Sequence, residues 1–247
     1  MRFVPLAVIL ILPALPPSAL SQAGQETVPF VGCPADGQVG PAEPPQGPRK
    51  VAVGESAIVS QLAFYKGEYS PGVFAPRGWR CKVWYGSSGS ILLVAPDSTV
   101  IASFQPRLHG PAVELQVSVG GTSGRFTVAA YGSRLFPSVL ANFINAVRSE
   151  SLSADSEFAP KRFSLDSVRS LTKHLASFTT PATSRGLGTG GFLEPSENPI
   201  RGLAVLTDDP SEPDLSVLRV RLRSTDPRLQ AAILQLNRAC LQRTGGC

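Results

Sequence analysis

The chain has 247 residues, 43% of them hydrophobic, and a formal net charge of +5 from 23 basic and 18 acidic side chains. That length and apolar content support a folded core and exclude a largely disordered chain. The positive excess is small and scattered, with no run of Lys and Arg interleaved with aromatics, which excludes nucleic acid as a partner.

The first residues read as a targeting signal. Arg2 supplies a short positive region, residues 3–15 are apolar, and Pro16, Pro17 and Ser18 end the run. Ser21 and Ala23 offer small residues where a signal peptidase reads, so residues 1–23 are expected to be a signal peptide cleaved after Ala23. The apolar run is too short for a membrane span and nothing like it follows, so no transmembrane segment is expected in the mature chain. The expected location is the periplasm or the extracellular space.

Four cysteines remain after such cleavage: Cys33, Cys81, Cys240 and Cys247. An even count in an exported chain reads as two disulfides, and Cys33–Cys81 with Cys240–Cys247 is the expected pairing. Residues seven apart on an unbroken helix lie about 10 Å apart, too far to bridge. Gly245 and Gly246 allow the chain to turn back between Cys240 and Cys247. Phe30-Val31-Gly32-Cys33 has a faint likeness to a lipoprotein cleavage box, but the polar residues 24–27 separate it from the apolar signal core.

Residues 24–50 read as a Pro/Gly-rich extended arm, irregular from Pro34 to Lys50. A body follows over 51–247, an α+β domain of mainly antiparallel β-hairpins covered by about three helices and stapled by disulfides. Its halves, 51–148 and 158–247, are possible lobes. Ile58, Leu62 and Tyr65 are spaced for a helix over 57–66, with Ser56 as its cap. Residues 70–78 are punctuated by Pro71, Gly72, Pro76 and Gly78 and read as a loop. Residues 79–85 and 91–94 read as a hairpin turning at Gly86-Ser87-Ser88-Gly89.

Strict alternation over 113–119 predicts a strand, and Phe126, Val128 and Ala130 alternate as if on its return. Leu140, Phe143, Ile144 and Val147 predict a covering helix. Residues 163–180 are ambiguous, with a strand favoured over 175–180. Residues 202–206 and 215–223 read as a further strand pair, and Arg219, Arg221 and Arg223 share one face of the second. That face reads as solvated, with an anion-gripping row as the sharper alternative. Asp226 and Pro227 open a last helix with the stripe Leu229, Ile233, Leu236 and Cys240.

No motif announces chemistry. Gly186-Leu187-Gly188-Thr189-Gly190-Gly191 spells GxGxxG, but Pro195 and Pro199 follow it where a dinucleotide site needs a helix, so it reads as a Gly-rich turn and no cofactor is expected. Gly86 to Ser90 is not a nucleophile elbow, because it joins two strands. His109 and His174 form no metal-ligand pattern, and the acids Asp208, Asp209, Glu212 and Asp214 are interrupted by prolines, so no metal is expected.

The aromatic cluster over 65–85 carries the functional expectation. Alternation puts Trp79, Cys81, Val83 and Tyr85 on one face and Arg80, Lys82 and Trp84 on the other. Trp84, with Arg77, Arg80 and Tyr69, is the candidate recognition set, suited to an envelope glycan or protein. The expected function is an exported, non-enzymatic binding or envelope-associated module. The alternative is an exported hydrolase acting on a cell-wall or other polymer.

Overall fold

The computed structural model describes residues 26–53, 58–96, 106–150, 163–223 and 225–243. The expected signal peptide lies outside them. The described strands are β1 (Thr27–Cys33), β2 (Ala35–Gly37), β3 (Lys50–Ala52), β4 (Leu62–Gly67), β5 (Val73–Pro76), β6 (Arg80–Gly86), β7 (Gly89–Ala95), β8 (Ala112–Ser118), β9 (Ser167–Thr172), β10 (Leu175–Thr180), β11 (Ile200–Leu206) and β12 (Leu215–Arg221). The helices are α1 (Arg125–Leu135), α2 (Ala141–Glu150) and α3 (Pro227–Leu241).

The strands form a small sheet, β3-β1-β4-β5, and a large one, β2-β6-β7-β8-β12-β11-β10-β9. Among the described strands only β1–β4 and β2–β6 pair in parallel, so the fold is α+β with mainly antiparallel pairing. One face of the large sheet packs against the small sheet and α3 through Leu92, Leu115, Leu218, Phe64 and Ile233. The opposite face carries α1 and α2 over Phe178, Ala204 and Val217. Cys33 and Cys81 are bonded with their Cα atoms 5.3 Å apart, stapling β1 of one sheet to β6 of the other. A cysteine so engaged offers no thiol for lipidation. The expected Cys240–Cys247 bridge involves Cys247, which lies outside the described residues. Cys240 is buried on α3, its Sγ 3.9 Å from the Gly72 carbonyl.

Several elements differ from the local reading. The expected 57–66 helix is β4, preceded by a short 3-10 turn, Val59–Gln61; Ser56 lies outside the described residues. Leu62, Ala63, Phe64 and Tyr65 are all buried, because β4 sits between β1 and β5 with both faces covered. Such a strand shows a continuous apolar run and cannot be told from a helix by period. The expected loop contains β5, an edge strand where Pro76 is tolerated. The supposed arm supplies β1, central in the small sheet, and β2, at the edge of the large one.

The expected return strand over 126–130 is α1. Val128, Ala129, Ala130 and Tyr131 are consecutive and buried, so one full turn of the helix is covered all round and its period is blurred there. Thr122 closes the turn before it, donating its hydroxyl to Val119 O at 2.9 Å and accepting Gly124 N–H at 3.1 Å. The true partners of β8 are β7 and β12. The β6–β7 hairpin, α2, β10, the β11–β12 pair and α3 form as the patterns indicate.

Candidate functional site

The register of the small sheet builds a largely apolar site. Phe30 of β1 pairs with Phe64 of β4, and Phe64 pairs with Phe74 of β5. Directly paired residues share a face, so three phenylalanines stand in a row. Their ring centroids are 6.2 Å and 5.0 Å apart. Pro45, Gln46, Gly47 and Pro48 wall one side. Gly47 is required there: a Cβ on it would meet the Phe30 ring at 2.5 Å. Val51, Ala52 and Val53 add the adjacent wall, and Leu236, Ala239 and Cys240 of α3 close the other side. The cavity is about 540 Å³, with Lys66 and Arg243 among its lining. That volume and apolar character fall within the range of small-molecule sites.

Helix α3 is held over this cavity by side-chain amides. Asn237 Oδ1 accepts Phe74 N–H at 2.8 Å, and its Nδ2 donates to Phe74 O at 2.9 Å and to Ile233 O at 2.8 Å. The amide thus satisfies the free edge of β5 as a neighbouring strand would. Gln230 Nε2 donates to Val220 O at 2.9 Å and ties the same helix to β12. Asp226 sits at the helix start but makes no side-chain capping bond.

The four residues of the expected recognition set do not converge. Trp84 is half-buried, with Phe192 edge-on at 4.8 Å and Lys82 Nζ 5.2 Å above its ring. It lines a groove of about 390 Å³ with Ser88, Ser90, Gln116, Ser118 and Ser123. Tyr69 is 57% exposed with a left-handed φ of 63°, and its ring lies 4.3 Å from that of Tyr85. Tyr85 faces away from Trp84 on β6, so Tyr69 is on the opposite side of the sheet. Arg77 and Arg80 are exposed at the far end of β6; Arg80 is four residues, about 13 Å, from Trp84 along the strand.

The arginine row is the clearest correction. Arg219 and Arg221 are 0% and 1% exposed, so both the solvated-face and the anion-gripping readings fail for them; only Arg223 is exposed. Arg219 Nη1 donates to Glu114 Oε1 at 2.7 Å and to Gln116 Oε1 at 2.9 Å, and its Nε donates to Leu187 O at 2.8 Å. Glu114 is itself fully buried and accepts Phe192 N–H at 2.7 Å. Arg221 donates to the carbonyls of Gly110, Leu108 and Glu194. Burial drives its guanidinium down to about 10. Together the two arginines clamp the Gly-rich segment onto the sheet.

That segment contains no helix suited to a dinucleotide, only a 3-10 turn at Leu187–Thr189. A Cβ at Gly190 would collide with the Tyr131 hydroxyl, and one at Gly191 with the Glu114 carboxylate. Nearby, Asp166 accepts from the Thr180 hydroxyl and from Leu187 N–H. Burial raises its carboxyl pKa, opposed by those hydrogen bonds and by Arg134 and Arg219.

His174 Nε2 lies 3.3 Å from Asp208 Oδ1, with Ser138 lining the same recess, but the Asp208 side chain is 81% exposed. An acid so solvated does little to fix an imidazole. Asp209 accepts from the hydroxyl and N–H of Ser211 and the N–H of Glu212, and the Ser211 hydroxyl leads in lowering its pKa. Among the described residues no group of three His, Cys, Asp or Glu is placed to hold a metal ion. No helix among them is long and apolar enough to cross a membrane. Compared with family models, with curated proteins and with solved structures, the chain matches none.

Proposed function

We propose that the protein is an exported, non-enzymatic binding module whose ligand occupies the cavity over Phe30, Phe64 and Phe74. The observation that carries this reading is the aligned row of rings under a cavity of about 540 Å³. Apolar walls of this kind bind by removing ligand surface from water, not by activating a bond. The apolar leader and the Cys33–Cys81 bridge support an extracytoplasmic setting.

Ala239 lines the cavity from an exposed position on α3. Ala239→Trp should fill the space without removing a core side chain. A fluorescent apolar reporter that brightens with the wild-type protein should brighten little with this variant. Equal brightening by both would reject the cavity as the site.

The groove at Trp84 supports a second reading, an envelope glycan stacked on the indole. Its support is the ring beside Ser88, Ser90 and Ser123 in one groove. Retention on peptidoglycan should fall with Trp84→Ala; equal retention of wild type and variant discards this reading.

A further inference from the structure

We infer a second binding site, separate from the cavity, that takes the tetrahedral oxyanion of a small, free phosphate or sulfate monoester. It lies where β9, β10 and β11 run past α3. The register puts Ser167 opposite Thr179 and Thr179 opposite Arg201, in one row across the three strands. The next row is Arg169, Ser177 and Leu203. Directly paired residues share a face, as do residues two apart along a strand, so all six stand on one side of the sheet. Leu203 belongs to the core that includes Leu218 and Ile233, which makes this the α3 side. These residues line a recess of about 410 Å³, with Leu234 of α3 and Pro199 beside them. The recess shares no lining residue with the cavity over the three phenylalanines.

Thr179 is the centre of the arrangement. Arg201 is its direct cross-strand neighbour, with Cβ atoms about 5 Å apart, and Arg169 is its diagonal neighbour on the other side, at about 7–8 Å. Both separations are within an arginine's reach, so two guanidiniums can meet over one hydroxyl. Both arginines are exposed, and neither guanidinium bonds to a described residue. Asp166, the acid just before β9, is already engaged by the Thr180 hydroxyl and by Leu187 N–H. The Ser177 hydroxyl donates to Arg169 O at 3.5 Å, whereas those of Ser167 and Thr179 have no partner among the described residues. Donors thus approach one point from three strands. A carboxylate has two coplanar oxygens, which a single guanidinium fork satisfies. A phosphate or sulfate ester has three terminal oxygens arranged as a pyramid, one for each strand, and its negative charge complements the two guanidiniums. Leu234 and Pro199 give the organic part of the ester an apolar edge to lie against. The hydroxyls stand on the sheet beside α3, so the ligand is a small molecule that enters the recess and not a headgroup held in a lipid surface.

The test is titration of the full mature chain with phenyl phosphate, phenyl sulfate and benzoate at physiological ionic strength, followed by backbone amide NMR shifts. Phenyl phosphate should saturate, with the largest shifts at Arg169, Thr179 and Arg201, and should bind at least about tenfold tighter than benzoate. Phenyl sulfate should shift the same residues. Arg169→Gln and Arg201→Gln should each weaken phenyl phosphate about tenfold, and the double variant should not saturate. Arg223→Gln removes an exposed arginine outside the recess and should change nothing. Ala239→Trp, which fills the cavity, should change nothing either. If a recess variant binds as the wild type does, or if Arg223→Gln or Ala239→Trp weakens binding as much, the site is overturned. Benzoate binding as tightly as phenyl phosphate would overturn the tetrahedral assignment. Sedimentation with phosphatidic acid vesicles that is lost in the double variant, without binding of the soluble esters, would overturn the free-ligand assignment in favour of a membrane surface.

Discussion

Arg219 joins three parts of the chain through one side chain: β8 by way of Glu114 and Gln116, the Gly-rich segment by way of Leu187 O, and α1 by lying 5.5 Å from the Tyr131 ring. Burying two charges costs more than a surface pair returns, and the pair is tolerated because both Glu114 oxygens and the Nε and Nη1 of Arg219 are hydrogen-bonded, with Nη2 left without a partner among the described residues. Removing one partner strands the other. Arg219→Met should therefore lower stability by about 3–5 kcal/mol in urea denaturation, and adding Glu114→Leu should recover much of that loss. A single-variant loss below about 1 kcal/mol would contradict this account.

Tyr65 gives a pH-dependent counterpart. Its hydroxyl donates to Pro76 O at 2.7 Å and accepts Trp79 N–H at 3.1 Å, and burial pushes its pKa up to about 12. The folded state therefore keeps this proton where an unfolded tyrosine has lost it. Its stabilising contribution is whole below about pH 10 and is lost as pH rises through about 12. Tyr65→Phe should cost about 1–2 kcal/mol at pH 8, and the gap to wild type should shrink by about 1 kcal/mol at pH 11. A gap that stays constant or widens above pH 10 would count against the burial of this hydroxyl.

Neither residue announces these roles locally. Arg219 alternates with Leu218 and Val220 as any solvated strand residue would, and the segment that covers it comes about thirty residues earlier. Asn237 likewise sits beside an apolar stripe where its amide looks incidental; only the approach of β5, 163 residues earlier in the chain, gives it partners.

At the scale of elements, the contact between the two sheets is covalent as well as apolar. The Cys33–Cys81 bridge closes a sequence separation of 48 residues and joins strands in different sheets. In the chain-entropy description a loop of that length is worth roughly 4 kcal/mol, and natural bridges commonly give 2–5. Cys33→Ala with Cys81→Ala should lose about that much in urea denaturation. Reducing agent should then leave the double variant unchanged at this bridge while destabilising the wild type. The ring row at the cavity depends on the same staple, since β1 carries both Phe30 and Cys33.

Elements whose polar and apolar residues alternate or repeat along the sequence were legible: α2, α3, the β6–β7 hairpin and the β11–β12 pair each show it. Elements built on an unbroken apolar run were not. Strand β4 imitates a helix through Leu62–Tyr65, and helix α1 imitates a strand through Val128–Tyr131, because a run buried on every side carries no polar half of the pattern.

At the scale of the molecule, the large sheet draws β2, β6, β7 and β8 from the first half of the chain and β9 to β12 from the second, meeting at β8–β12. The prediction belonging here concerns export. Expressed with its leader in a secreting host, the protein should be recovered outside the cytoplasm with Gly24 as its first residue, by N-terminal sequencing. Recovery of an uncut chain in the cytoplasm would remove the export proposal and leave the cavity argument standing.

What the sequence by itself determined is what neighbouring residues decide among themselves. The faces of β6 and β12, the hairpin turn at Ser87 and Ser88, and the amphipathic stripes of α2 and α3 are all of this kind. The Cys33–Cys81 pairing was legible too, from an even cysteine count and the expectation of export. Only the tertiary structure decided what lies over each face. The Gly-rich segment turns an arginine row into a buried clamp, and α3 with the proline-rich arm turns three paired phenylalanines into a cavity. The physical reason is that burial is a property of two surfaces, and the second surface comes here from chain far away in sequence.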